Sequence, residues 1–535
     1  MFYFCKKIPI SRLLNLLVLS TVLTLSGCGS ATEDSDDQAI EVPNTPEEIP
    51  EEIPEEIPEE IPEEISEEIP EEIPEEIPEE IPEEIPEETP EETPEASLPT
   101  DGQSNILLII GDDLGVDNIS LYNEQPDYMA ATPSIDAIAN NGVLFRNAWA
   151  NPMCAPSRAS IYTGQHAFNH ELLAVGQSTD ETLSAEILSE AGYATALFGK
   201  WHLGSGNRTP DRKGFDYWSG PSDNVPDYFQ WTKNIKTKDG SIDTTVDYTG
   251  VATENYATTV TAEDAIEWIN AQTSPWFATV AFNAGHTPIH VPIDVGNRRQ
   301  LMGEVGADCG NGSGVDSNQE CFRAMVEVMD HYIGNIIEQV NTRNTVIIFV
   351  GDNGPLGSTI YEQNGTPFIR DHDKGTVYEG GVNVPLIIGG GNNMTLNTGE
   401  QTAFVQVQDI FSTVLEVANA SSAKNVAGQS LRPYLDSSQD SNDRTTLYSE
   451  LFTDKDTQGT VDVDDFSYWT LIDSSSQVKY MYVEDANETD DKCFNLATDI
   501  TEEQDVFDTN SEASDICHQL KTQRPCIATG NCPSF

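Results

Sequence analysis

Four apolar runs in this chain each break off into a turn rich in Gly, Asp, His and Lys, and no other feature constrains the fold so tightly. "NILLII" (105–110) leads into "GDDLG", "ATALF" (194–198) into "GKWHLG", "WFATVAF" (276–282) into "NAGHTP", and "TVIIFV" (345–350) into "GDNGP". Uninterrupted apolar runs of this length read as strands buried on both faces, as in a parallel sheet covered by helices. Helix-like stretches separate them: "SIDAIANNGVLF", "TLSAEILSEAG", "TAEDAIEWIN" and "CFRAMVEVMDHYIGNIIEQV". Strands alternating with helices predict an α/β domain over residues 101–425, with a large, mostly parallel central sheet flanked by helices. Beyond it, "RTTLYSE" and "YWTLIDSSSQVKYMYV" read as alternating strands, so a smaller antiparallel α+β subdomain is expected over 426–535.

In open α/β sheets, ligands bind beyond the carboxyl ends of the strands. The first and last runs deliver Asp112, Asp113, Asp352 and Asn353 to that edge. Asp and Asn also favour turns for local reasons. Their recurrence at two matching strand ends points instead to a cation, because three converging carboxylates repel one another without one. All are hard oxygen donors, suited to Ca²⁺ or Mg²⁺ rather than zinc.

Cys154, in "MCAPSRASIYTG", follows "NP" at a predicted helix start, where free N–H groups favour negative charge. Pro156 is tolerated in a first turn, and Arg158 lies one turn on, on the same face. This stretch alone fits a buried structural thiol as well as a reactive residue.

The N-terminus is not globular. Lys6, Lys7 and Arg12 precede "LLNLLVLSTVLTL" and "SGCGS", the pattern of a secretory signal over 1–28, too short for a comfortable membrane span. "PEEIPEEIPEEI" then repeats from Pro46 to Pro94 within an acidic linker, 29–100. Proline at nearly every fourth position and paired glutamates deny it a helix, leaving an extended spacer of about 150 Å as polyproline II. Residues 1–100 hold 30 acidic and 3 basic side chains, so of the net charge of −65 the remainder carries −38. So acidic a body argues against a nucleic-acid partner. One basic cluster, Lys200, Arg208, Arg212, Lys213, Lys233, Lys236 and Lys238, stands out as a candidate to face an anionic substrate or simply water. The aromatic residues of "DYWSGPSDNVPDYFQWTKNIK" are read either as sugar-stacking groups or as core. Past the signal there are seven cysteines. Cys309 and Cys321 flank a Gly/Asn/Ser-rich loop and suit a short disulfide. Cys493, Cys517, Cys526 and Cys532 suit two more of open connectivity, and Cys154 is left over.

Taken in order, "GDDLG", "CAPSR", "GKWHLG", "GHTP" (285–288), "GDNG" and "KGTVYEGG" (374–381) resemble the motifs of type I sulfatases over roughly residues 104–422, with "CFNLATDITEEQDVF" similar to their closing segment. The resemblance implies an alkaline phosphatase-like fold and a formylglycine-dependent hydrolysis of sulfate monoesters. Cys154 would be converted to Cα-formylglycine by a formylglycine-generating enzyme that reads Pro156 and Arg158. One hydroxyl of the aldehyde hydrate would attack sulfur and expel the alcohol; the second would reform the aldehyde and eject sulfate. By the same resemblance Asp112, Asp113, Asp352, Asn353 and residue 154 would hold the metal, calcium ahead of magnesium. Arg158, Lys200 and Lys374 would contact the nucleophile and the sulfate. His202 would take the proton at sulfate release, and His286 would protonate the departing alcohol oxygen. One position departs: many relatives carry arginine in "EGG-x-R-V-P", where this chain has Asn383, so an effect on packing or local electrostatics is expected. His166, His170 and His290 are further candidates to line the cleft.

"LSGC" also resembles a bacterial lipobox, which implies acylation of Cys28 and membrane attachment in the cell envelope; a plain signal or an uncleaved anchor is the alternative, and each exports the body. The expected substrate is a sulfated carbohydrate. The rivals are a phosphate or phosphonate monoester hydrolase of the same superfamily and a non-catalytic surface binding protein.

Overall fold

The computed structural model describes residues 104–524 apart from several short segments, the longest being 294–314 and 453–466. The leader, Cys28, the repeat, Cys309, Cys526 and Cys532 lie outside the described residues. The strands in chain order are β1 (Asn105–Gly111), β2 (Gly142–Trp149), β3 (Ala194–Gly199), β4 (Tyr217–Gly220), β5 (Thr232–Thr237), β6 (Asp243–Asp247), β7 (Trp276–Ala281), β8 (Thr345–Gly351), a two-residue hairpin of β9 (Glu362–Gln363) and β10 (Thr366–Pro367), β11 (Leu386–Gly390), β12 (Gly399–Gln406), β13 (Thr446–Phe452), β14 (Ser467–Asp473), β15 (Val478–Glu484) and β16 (Thr489–Asn495). Among the described residues ten of them form one sheet in the order β12-β2-β11-β8-β1-β7-β3-β4-β5-β6.

The four apolar runs are its four central neighbours, β8-β1-β7-β3, and all pair in parallel. Their carboxyl ends therefore share one edge. Ile106, Leu108 and Ile110 of β1 enter the core on one face of the sheet, and Leu107 and Ile109 enter the core on the other. Each of these side chains contributes about 1.5–3 kcal/mol by leaving water, which is why both faces of the strand are apolar. The helices in chain order are α1 (Pro133–Asn140), α2 (Cys154–Thr163), α3 (Ala167–His170), α4 (Ser184–Glu190), α5 (Ala257–Ala271), α6 (Val315–Val340), α7 (Glu379–Val382), α8 (Asp409–Val417), α9 (Arg432–Leu435) and α10 (Glu512–Leu520). In α6, Phe322, Met325, Met329, Ile333, Ile336 and Val340 recur at helical spacing and are buried against the sheet.

One helical expectation fails in part. Only the first half of "SIDAIANNGVLF" is helical; α1 stops at Asn140, and the chain re-enters the sheet as β2. Gly142 permits that entry, because a Cβ there would stand 2.1 Å from the Ile388 carbonyl oxygen. Val143, Leu144 and Phe145 then pair with β11 and bury completely.

The C-terminal strands form a separate antiparallel sheet, β13-β14-β15-β16, with α10 packed on it and a Cys493–Cys517 disulfide joining β16 to α10. Cys321 is also disulfide-bonded, and Cys154 is free. Leu447, Ile472, Met481 and Phe494 of this sheet share a core with Trp149, Val377 and Val382 of the large domain.

Candidate active site

The strand ladder continues into the turns beyond it. Asp352 N–H donates to Gly111 O at 3.1 Å, Asp112 N–H to Ala284 O at 3.0 Å, and Lys200 N–H to Ala281 O at 2.9 Å. Four turns, from β8, β1, β7 and β3, are thus held side by side. Gly199 is required at one of them: its φ is 86°, and a Cβ would lie 2.0 Å from Ala281 O. Asp113 (φ 55°) and His202 (φ 64°) also sit in the left-handed region, which costs a non-glycine residue about 1–2 kcal/mol each. Asp113 is retained there by its N–H bond to Asp352 Oδ1 at 3.1 Å and by Lys374.

Cys154 opens α2 opposite this edge, with Met153 as the extended residue before it. Asp112, Cys154 and Asp352 offer ligand atoms that all lie within 4.8 Å of one another. Four ion pairs surround them: Lys200 Nζ to Asp112 Oδ2 at 2.6 Å, Arg158 Nε to Asp352 Oδ2 at 2.8 Å, Arg158 Nη2 to Asp112 Oδ1 at 3.8 Å, and Lys374 Nζ to Asp113 Oδ1 at 2.5 Å. Asn353 Nδ2 donates to Asp113 Oδ1 at 2.9 Å. His202 Nδ1 stands 3.2 Å from Cys154 Sγ, and His286 Nε2 stands 3.8 Å from Asp113 Oδ2. The ten residues that the resemblance assigns to the metal and the chemistry therefore meet at one place.

Burial penalises every charge here, and the neighbours decide the outcome. Burial raises Asp112, but Lys200, His286, Arg158 and Lys374 reverse this and hold its carboxyl well below the usual range. Asp352 goes the other way, pushed up to about 6 by burial and by Asp112 despite Arg158. His202 is pushed down to about 2 by burial, then by Lys200 and Arg158, so its ring is uncharged. Burial also raises the Cys154 thiol, which makes it a poor nucleophile as it stands.

The residues fit a hard divalent cation. Asp112 Oδ1, Asp113 Oδ2 and Asn353 Oδ1 are buried and accept no hydrogen bond from the protein, and a buried acceptor left in that state costs about 1–3 kcal/mol. Three carboxylates against three cations also leave no net positive charge for an anionic ester; a divalent ion among these oxygens would supply it.

A sulfatase family profile matches residues 104–420, which hold all of these groups. The chain belongs to the sulfatase family. A second profile, N-sulphoglucosamine sulphohydrolase, C-terminal, matches residues 369–525. Human N-acetylgalactosamine-6-sulfatase is 27% identical over 380 residues, covering 62% of this chain and 65% of that protein. The chain thus spans just under two thirds of the length of that relative. Two solved structures share the fold: BT4656 in complex with its substrate D-glucosamine-2-N,6-O-disulfate (TM-score 0.61, 18% identity, 81% of this chain and 99% of that one) and the phosphonate monoester hydrolase of Agrobacterium radiobacter (TM-score 0.59, 19% identity, 80% and 96%).

Lys200 and His202 follow the end of β3 at Gly199, and the left-handed turn at His202 aims its ring at Cys154. Several expectations are corrected. His166 and His170 do not line a cleft. His170 is buried on Ser160 Oγ (3.1 Å), and the half-buried His166 is stacked on Phe168 against Tyr448, with Nδ1 3.1 Å from Gln408 Nε2. Neither nitrogen of His290 is left for a ligand, since one lies 2.9 Å from Pro288 O and the other 3.1 Å from Tyr256 Oη. Trp218, Tyr228 and Trp231 are core residues. Of the basic cluster, Lys200 reaches the site; Arg212, Lys213, Lys233, Lys236 and Lys238 pair with nearby carboxylates.

Asn283 was not anticipated. It opens the turn after β7, is 3% exposed, and neither polar atom of its side chain has a protein partner. Its place in "NAGHTP", one turn from His286, was the available signal.

Proposed function

We propose that the chain hydrolyses sulfate monoesters of carbohydrates with a formylglycine at position 154 and a divalent cation, calcium ahead of magnesium. The observation that carries this reading is the convergence of Asp112, Asp352 and residue 154 within 4.8 Å, ringed by Lys200, Arg158 and Lys374. Cys154 Sγ stands where the oxygens of the aldehyde hydrate would be. The hydrate supplies two geminal hydroxyls, one to attack sulfur and one to expel sulfate as the aldehyde reforms. The cation, held by Asp112, Asp113, Asp352, Asn353 and residue 154, would acidify the attacking hydroxyl and polarise a sulfate oxygen.

The chain's own groups do the remaining work. Lys200 and Lys374 orient the sulfate by charge, and Arg158 Nη2, buried and without a hydrogen-bond partner, offers a further donor. His286, doubly protonated with Nε2 3.8 Å from Asp113 Oδ2, delivers its Nε2 proton to the departing alcohol oxygen as the S–O bond breaks. Its Nδ1–H is given to Thr287 O at 2.8 Å, so Nε2 faces the chemistry. His202, with Nδ1 3.2 Å from Sγ, is placed to take the proton released when sulfate leaves. With one water to rehydrate the aldehyde, ester and water give alcohol and hydrogen sulfate.

The sugar reading draws on the relatives that act on sulfated amino sugars, human N-acetylgalactosamine-6-sulfatase by name and BT4656 by its bound substrate. A location outside the cytosol, with Cys28 as lipid anchor, is supported by the leader sequence and by the bonded cysteines 321, 493 and 517. Turnover of a matched aryl sulfate and aryl phosphate decides between sulfate and phosphate chemistry; faster phosphate turnover would reverse the assignment. Peptide mass spectrometry at position 154 in the native host should show a loss of about 18 Da against cysteine, and an unmodified thiol would favour a binding protein.

A further inference from the structure

We infer that Tyr228 is a positioning residue for His286, which rests on the reading of His286 as the proton donor to the leaving group. Tyr228 is 1% exposed, and its hydroxyl lies 2.5 Å from Asn283 O and 2.7 Å from His286 O. Those carbonyls close the turn that presents the histidine, since His286 N–H itself donates to Asn283 O at 2.8 Å. One hydroxyl proton shared between two carbonyl acceptors fixes their separation, and with it the direction in which the imidazole leaves the backbone.

The phenol ring is held in turn. His290 packs against it, tilted by 36° with centroids 4.4 Å apart, donates Nδ1–H to Pro288 O at 2.9 Å, and accepts at Nε2 from Tyr256 Oη at 3.1 Å. Tyr256 packs against the Tyr228 ring at 5.8 Å. The turn is therefore tied to a single aromatic wall at three carbonyls, those of Asn283, His286 and Pro288. Burial, with Tyr256, Asp112 and Asp113 nearby, pushes the Tyr228 hydroxyl well above its usual value, so it stays a donor. With Nδ1–H committed to Thr287 O, a small displacement of the His286 carbonyl swings Nε2 away from the leaving oxygen.

The dependence on leaving group tests this. A nitrophenolate departs without a proton, whereas phenolate needs one. Tyr228→Phe should lower kcat/KM for phenyl sulfate about 10- to 100-fold and for 4-nitrophenyl sulfate about threefold or less. His286→Ala should discriminate in the same direction more strongly, and adding Tyr228→Phe to it should cost nothing further. Retained turnover of the nitrophenyl ester reports that the variant is folded. Equal losses on both esters in Tyr228→Phe, or additive losses in the double variant, would overturn the inference while leaving His286 in its role. Equal losses in His286→Ala would remove that role and the inference with it, and no turnover of either ester by the parent would count against sulfate hydrolysis itself.

Discussion

Replacing Lys479 with methionine isolates the link between the small sheet and the catalytic edge. Lys479, on β15, is fully buried, with Nζ 3.1 Å from Glu379 Oε1, 2.8 Å from Glu502 Oε1 and 4.8 Å above the Trp149 ring. Glu379 opens α7 and gives its N–H to Glu502 Oε2 at 2.6 Å. The segment it follows holds Lys374 N–H on Pro355 O and Gly375 N–H on Pro152 O, both at 2.9 Å. Methionine keeps most of the stem and deletes the charge, so two buried carboxylates lose their counter-ion. Breaking such a pair costs about 3–5 kcal/mol, and the lost cation–π contact adds about 1. The cost has a pH signature. Burial already holds Glu502 up at about 7 against the pull of Lys479, from an ordinary value of 4.5. Without the lysine it rises further. A carboxyl whose folded value is raised gives stability that is present below the unfolded value and is lost as pH climbs towards the folded one. Denaturant melts of parent and variant should therefore differ by about 3–5 kcal/mol at pH 8 and by less than about half of that at pH 5. Adding Glu502→Gln should recover about 1–3 kcal/mol at pH 8 by removing the surplus charge. A deficit equal at both pH values, or below about 1 kcal/mol at pH 8, would refute the reasoning.

Cys154→Ala should lose turnover by about 10³-fold or more while the melting midpoint moves by only a few degrees, since one small buried group is removed; measurable turnover above that level would take residue 154 out of the chemistry. Chelation of divalent ions should abolish activity and lower the midpoint, and calcium at about 100 times its dissociation constant should return about 3 kcal/mol; indifference to the chelator in both assays would remove the cation. His166 and His170 are pushed down to about 4 and about 3, by burial first, from 6.5. The unfolded chain then binds more protons between those limits, so stability falls as pH drops below about 6.5, by up to about 1.4 kcal/mol per pH unit for each histidine. Stability curves for His170→Phe should be flatter in that window, and an unchanged slope would count against it.

The centre of the fold was legible because its chemistry is one-sided. β8, β1, β7 and β3 are covered on both faces, so their residues are apolar without interruption, and a run that stops at Gly-Asp marks both the strand end and the site. The edge was not. β5 ("TKNIKT") and β6 ("DTTVD") carry no apolar run, and every residue of β6 is exposed. β2 was lost inside a helical pattern because its signal is three apolar residues directly after an amphipathic turn. Among site groups, those placed by a strand end could be read locally. Tyr228 lies 58 positions from His286 and Lys479 lies 100 from Glu379, so only the folded chain brings each to its partner.

Asn383 shows how such distant partners absorb a local departure from the family pattern. Asn383 sets an amide whose Nδ2 donates to Glu379 Oε2 at 3.0 Å, and Lys479 brings a positive charge to Glu379 Oε1 at 3.1 Å. Lys479 faces Glu379 and Glu502, His372 Nδ1 stands 4.0 Å from Glu502 Oε2, and Asp117 is close enough to feel Glu379. The cluster is short of cations, and the shortage is visible: burial and Glu379 push Asp117 up to about 7, and Glu502 stands near the same value. Protons thus take the place of the missing charge near neutrality, at a distance from the ion pairs of Asp112, Asp113 and Asp352, which keep their own cations. The substitution therefore alters the electrostatics beneath α7 and leaves the reacting groups intact, which is the outcome expected if Lys374 is held by the backbone of its segment rather than by the side chain at 383.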